Sequence, residues 1–197
     1  MPRTLTQRDL SPIVAGLRTA NAALAKACPG ESGDRQPVHT VYGGAHLFTA
    51  DSATKLGAMA LVALDRFAPS AAILAKALGI RTENGFAETV RARVVDKLRR
   101  EPVEDYRLDF EDGYGNRSDA EEDGHAWSAA REVAAGMAAG TLPPFIGIRI
   151  KPLSKELHRR SLRTLDLFVS ALVEDGKRQL PVILIIAAKA AVPDPKT

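Results

Sequence analysis

Apolar residues recur along this chain with two different periods. Over residues 11–27, Ile13, Leu17, Ala20 and Leu24 follow at helical spacing, with Ser11 placed as a cap and Pro12 suited to a first turn. The stretch CPGESGDRQP at 28–37 has the composition of a loop. VHTVY at 38–42 is rich in β-branched residues and predicts a strand over 38–43, running into Gly43-Gly44. Helical spacing returns over about 52–66, with Leu56, Met59, Ala60 and Ala63 on one face and Asp51 or Ser52 as cap. It continues over 71–78, ended by Gly79, and over 85–100, a helix with a basic outer face.

YRLDF at 106–110 predicts a second strand, leading into EDGYG. Ser118 opens a helix over about 119–139, and Gly140 stops it. FIGIRI at 145–150, between Pro143-Pro144 and Pro152, predicts a third strand. Ser154 is placed to cap a helix over about 155–174, ended by Asp175-Gly176. VILIIAA at 182–188 is a continuous apolar run of the kind found in buried parallel strands.

Strands that alternate with helices make βαβ units and a parallel sheet, so the expected class is α/β with four strands. The expected organisation is an N-terminal helix and loop over 1–36, an α/β domain over 37–188 and an irregular tail over 189–197. Composition fits this picture: 45% hydrophobic and 26% charged residues in a chain of 197 allow a buried core without disulfides. Aromatics make up only 5%, so that core is expected to be aliphatic. The net charge of +3 comes from 27 basic and 24 acidic residues that are interspersed, which argues against a nucleic-acid partner. Cys28 is the only cysteine, which excludes an intrachain disulfide and a cysteine metal site. No apolar run reaches the roughly 20 residues that span a bilayer. The N-terminus MPRTLTQRDL lacks the apolar core of a signal peptide. The expectation is a cytoplasmic protein with no membrane partner.

Ligands of parallel α/β proteins bind at the carboxyl ends of the strands. The second strand ends in Asp109, Glu111 and Asp112, and strand alternation puts Asp109 and Glu111 on one face. Two carboxylates on one side need a positive partner or a shared proton. The third strand ends in Arg149 and Lys151, which alternation also places on one side. Neighbouring strands would then present acids and bases to one cleft, with Arg149 suited to grip a carboxylate or enolate oxygen. Two plainer readings stand beside this one. The acids can form a loop that precedes a helix N-terminus, and Arg149 can form an ordinary internal ion pair with Glu111. Gly43 and Gly44 permit close backbone approach to a ligand, without forming a phosphate-binding fingerprint. His39 and His46 flank the first strand and read as structural. His125 and His158 read as surface residues, Trp127 as packing, and Cys28 as inert.

Three blocks, HTVYGGAH (39–46), RLDFEDGY (107–114) and GIRIKPL (147–153), occur in an order that resembles the citrate lyase β-subunit and HpcH/HpaI aldolase superfamily. FTAD (48–51) and DFEDGYGNR (109–117) are most similar to an uncharacterised aldolase-like branch of it. The resemblance implies a (β/α)8 TIM barrel, of which this chain holds about four of eight strand–helix units. It implies a carbon–carbon lyase or aldolase acting on a 2-oxo or 3-hydroxy acid, or its CoA thioester, with Mg²⁺. Arg149 would bind the substrate carbonyl or enolate oxygen. Glu111 and Asp112 would act beside it, holding metal-bound waters, with Asp109 in support. Lys151, Gly43 and Gly44 would line the substrate.

Lys151 stands where the family usually has Asn, and Gly43-Gly44 replaces a proline-bearing turn. The family's direct metal ligands sit on later strands, beyond residue 197. The expectation is the N-terminal portion of a longer protein. Two alternatives remain open here. One is a non-catalytic barrel fragment whose open sheet edges favour a homo-oligomer. The other is a small doubly wound nucleotide-binding domain, against which the missing glycine fingerprint counts.

Overall fold

In a computed structural model of the chain, residues 7–28, 30, 33–176 and 184–187 are described. The chain divides into two units, Met1–Gln36 and Pro37–Thr197. The first holds helix α1, Gln7–Ala27, with Pro12 inside it. The helix therefore starts a turn earlier than Ser11. Pro12 has no N–H to give to the carbonyl of Arg8, and the helix carries that one missing bond in its interior instead of beginning there.

The second unit alternates strands and helices. Its strands are β1 (Thr40–Gly44), β2 (Asp105–Asp109), β3 (Phe145–Arg149) and β4 (Leu184–Ala187). Helices α2 (Ser52–Phe67), α3 (Ala71–Leu78) and α4 (Phe86–Arg100) lie between β1 and β2. Helix α5 (Asp119–Ala139) links β2 to β3, and α6 (His158–Asp175) follows β3. The four strands form one parallel sheet in the order β1-β2-β3-β4. The class is α/β, and the described sheet is open, not closed into a barrel. The tail expected at 189–197 lies outside the described residues. No single described helix is long and apolar enough to cross a membrane; α2 and α3 qualify only as a pair bent by 96°.

Local signals account for the helix ends. Ser118 caps α5 by accepting the Glu121 amide, while the Glu121 carboxylate accepts the Ser118 amide. Gly140 closes the same helix at φ 67°, a left-handed conformation that suits glycine. Ser154 does not cap α6 as expected. Its carbonyl accepts the amides of Leu157 and His158, so 154–157 form a turn and the helix begins at His158.

The two faces of the sheet are chemically opposite. Tyr106, Leu108 and Phe110 project to one side with Ile146, Ile148 and Ile150. There they meet Ala126, Ala129, Ala130 and Val133 of α5 and Phe168, Ala171 and Leu172 of α6. Small alanines on α5 bring it close to α6 and to the sheet. The other face carries Asp105, Arg107 and Asp109 of β2. Register sets Thr40, Asp105 and Phe145 at one level, Tyr42, Arg107 and Gly147 at the next, and Gly44, Asp109 and Arg149 at the carboxyl end. Asp105 and Arg107 are buried and paired, with Arg107 Nη2 donating to Asp105 Oδ2 at 2.8 Å and Thr40 Oγ1 donating to the same oxygen.

Candidate functional site

The carboxyl ends of β1, β2 and β3 gather around one guanidinium. Arg149 Nε donates to Asp109 Oδ1 at 2.8 Å, and Nη2 donates to Asp109 Oδ2. This is the two-pronged geometry in which guanidinium matches carboxylate best. Asp109 is itself almost wholly buried. Its oxygens also accept the amides of Glu111 at 2.8 Å and Gly113 at 2.7 Å. The chain after β2 thus folds back so that its own N–H groups point at the Asp109 carboxylate. Burial alone would push the Asp109 pKa up. The bonds from Arg149 and from the two amides outweigh it and hold the carboxyl below the usual range. The Arg149 pKa moves up, chiefly because Asp109 accepts its protons.

Two more acids reach the same cation. Glu111 Oε2 lies 3.6 Å from Arg149 Nε, and Asp112 Oδ2 lies 3.2 Å from Nη2. Glu111 is largely covered, whereas the Asp112 side chain is 63% exposed. The ion pair between Arg149 and Glu111 is therefore present, but the tighter partner is Asp109. Arg149 also lies over the ring of Tyr42 of β1, its guanidinium carbon 4.7 Å from the ring centroid. The guanidinium thus crosses β2 from β3 to β1. Nη1 is left without a hydrogen-bond partner among the described residues.

Lys151 does not join this group. Strand β3 ends at Arg149, so alternation does not extend to residue 151. The Lys151 ammonium turns to α5 instead, donating to Glu122 Oε2 at 2.5 Å and to the Phe110 carbonyl at 2.9 Å. Gly43 and Gly44 do permit a close approach, but protein makes it. A Cβ on Gly43 would stand 2.1 Å from the Tyr106 hydroxyl, and one on Gly44 would stand 2.5 Å from the Gly113 carbonyl oxygen.

Beside the carboxylates sits an aromatic cluster that residue types alone did not single out. The Tyr114 hydroxyl lies 2.6 Å from His125 Nδ1, and the His46 ring packs against both at 5.5 and 5.8 Å. Burial and the nearby Glu122 push the Tyr114 phenol up to about 12, so it keeps its proton. Burial, Arg117 and His125 lower the His46 pKa. His125 is thus tied into the site and not a free surface residue, while Trp127 is 41% exposed. The sequence signal for Tyr114 was its place in DFEDGYG, at the strand end.

No group of three or more His, Cys, Asp or Glu among the described residues is arranged to hold a metal ion. A cavity of about 600 Å³ lies at the opposite end of the sheet, lined by Leu61, Leu98, Pro102 and Leu142. It is remote from the Arg149 cluster.

Fold and site together define an α/β domain with a polar cluster at the carboxyl ends of parallel strands. The chain belongs to DUF6986, a domain family of unknown function, whose model matches residues 17–193. Comparison with curated proteins and with solved structures gives no match.

Proposed function

We propose that residues 37–188 form about half of a (β/α)8 barrel of the HpcH/HpaI and citrate lyase type, and that its site serves a carbon–carbon lyase or aldolase. The substrate class is a 2-oxo or 3-hydroxy acid, or its CoA thioester. The observation that carries the reading is Arg149, gripped along one edge by Asp109 at the carboxyl end of the sheet, with no hydrogen-bond partner for Nη1 among the described residues. Making or breaking a carbon–carbon bond next to a carbonyl develops negative charge on the carbonyl oxygen. A cation already fixed in place stabilises that charge without reorganising during the reaction.

In this reading Asp109 orients Arg149, and Arg149 offers N–H groups to the enolate oxygen. Glu111 and Asp112 bring the local charge to an excess of acid over base. Mg²⁺ belongs to the proposal by resemblance, and when bound it would add positive charge near the same oxygen. No group of three or more His, Cys, Asp or Glu among the described residues is arranged to hold it, so no step is assigned to it. The alternative, a barrel fragment without catalysis, rests on that same lack of a ligand set.

The test is enolisation. Pyruvate, oxaloacetate and other 2-oxo acids would be incubated with the chain and Mg²⁺ in D₂O, and loss of the proton next to the carbonyl followed by NMR. The expected result is catalysed exchange that falls about 100-fold in Arg149→Lys. Background exchange across the whole panel would sink the enzyme reading and leave the fragment reading.

A further inference from the structure

The core of the domain accounts for the aromatic residues on the helix-facing side of the sheet. It does not account for Tyr42. That side chain lies on the opposite face and is 51% exposed, at the middle of β1. Among the described residues it meets Arg149, two strands away, whose guanidinium carbon sits 4.7 Å above its ring.

The geometry of Arg149 shows what that contact adds. Both bonds to Asp109 run along one edge of the guanidinium, through Nε and Nη2. Two parallel bonds fix that edge, but they leave the plane free to rock about it. An aromatic ring 4.7 Å from the guanidinium carbon restricts that rocking. The delocalised, weakly hydrated guanidinium is the cation best suited to lie on an aromatic face. Gly147, level with Tyr42 and Arg107 in the register, adds no side chain beneath it. With its edge held by Asp109 and its carbon over the Tyr42 ring, Arg149 keeps Nη1 in one direction.

We infer that Tyr42 is a positioning residue: its ring fixes the plane of Arg149 so that Nη1 meets the oxygen of a small planar carboxylate. This rests on the reading of Arg149 as the anion-binding group. The ligand class is a short 2-oxo acid or its enolate, whose oxygens lie in one plane.

Oxalate, a planar dianion of the same shape as such an enolate, is the probe. Its binding to the full chain would be measured by calorimetry in buffer containing Mg²⁺, for wild type, Tyr42→Phe, Tyr42→Leu and Arg149→Lys. Phe keeps the ring and is expected to bind as wild type does. Leu is expected to weaken binding about fivefold, a size typical of a cation on an aromatic face. Because Tyr42 is half exposed, the melting temperature of the Leu variant should stay at the wild-type value. A second measurement does not depend on the probe. The Arg149 Nε–H resonance should carry a ring-current shift in wild type and Tyr42→Phe, and lose it in Tyr42→Leu. Unchanged oxalate binding in Tyr42→Leu, with binding lost in Arg149→Lys, would overturn the role of Tyr42 and leave the proposed function standing. Wild-type binding in Arg149→Lys, or none in the wild type, would overturn both.

Discussion

Lys151 and Glu122 are 29 residues apart in sequence, and the ammonium of one lies 2.5 Å from the carboxylate of the other. Glu122 is 1% exposed and is also met by Arg160 Nε at 3.3 Å and by the Thr164 hydroxyl. One buried carboxylate thus ties the end of β3 to α5 and α6. Replacing one member of such a group leaves buried partners uncompensated. Glu122→Leu is expected to cost roughly 3 kcal/mol of stability, measured by urea unfolding at neutral pH. A change within experimental error would show that Lys151 and Arg160 find other partners.

Asp109 makes four bonds, two to Arg149 and two to backbone amides, and an amide side chain cannot accept all of them. Asp109→Asn is expected to destabilise the fold by roughly 3 kcal/mol. The same unfolding experiment reads it. Wild-type stability in Asp109→Asn would mean that the turn at 110–113 holds without the carboxylate.

The same carboxyl gives a pH dependence with a definite sign. Its folded pKa lies below the ordinary value near 4, so its contribution is present in full above that value. The contribution is lost as pH falls below about 4 and through the folded pKa. Melting temperature measured down an acid series should drop more steeply for wild type than for Asp109→Asn. Parallel curves would place the acid sensitivity on other groups.

Gly43 is required by one hydroxyl. A methyl there would meet the Tyr106 oxygen at 2.1 Å and the ring carbon that bears it at 2.9 Å. Gly43→Ala is therefore expected to cost about 2 kcal/mol by overpacking. Adding Tyr106→Phe should recover part of that loss, because the nearest atom is gone. A double mutant no more stable than the single one would mean that the backbone of β1, and not the hydroxyl, sets the limit.

The order of elements was legible because patterning and punctuation agreed. Ser118 with Glu121, and Gly140 at the far end, mark α5 in the sequence as they do in the structure. Boundaries that depended on one signal moved. Ser154 has a cap's identity, but its carbonyl builds a turn first, and Pro12 sits inside a helix it was expected to start. At the site, alternation ranked Asp109 and Glu111 alike. Their difference comes from the turn at 110–113, which aims two amides at Asp109 alone. Alternation also misplaced Lys151, since it holds only while the strand lasts. Tyr42 was out of reach for a different reason. Its contact with Arg149 spans an intervening strand, so it depends on the register of three strands, which no local pattern carries.

The alternation of charge and hydrocarbon along β2 has a consequence for how the sheet assembles. Asp105, Arg107 and Asp109 face one way, and Tyr106 and Leu108 the other. A slip of one residue would drive three ionised groups into the aliphatic layer against α5 and α6 and turn its hydrocarbon outward. The central strand is thus an alignment key: β1 and β3 can zip onto it from either side in only one frame, and that frame delivers Asp109 level with Arg149.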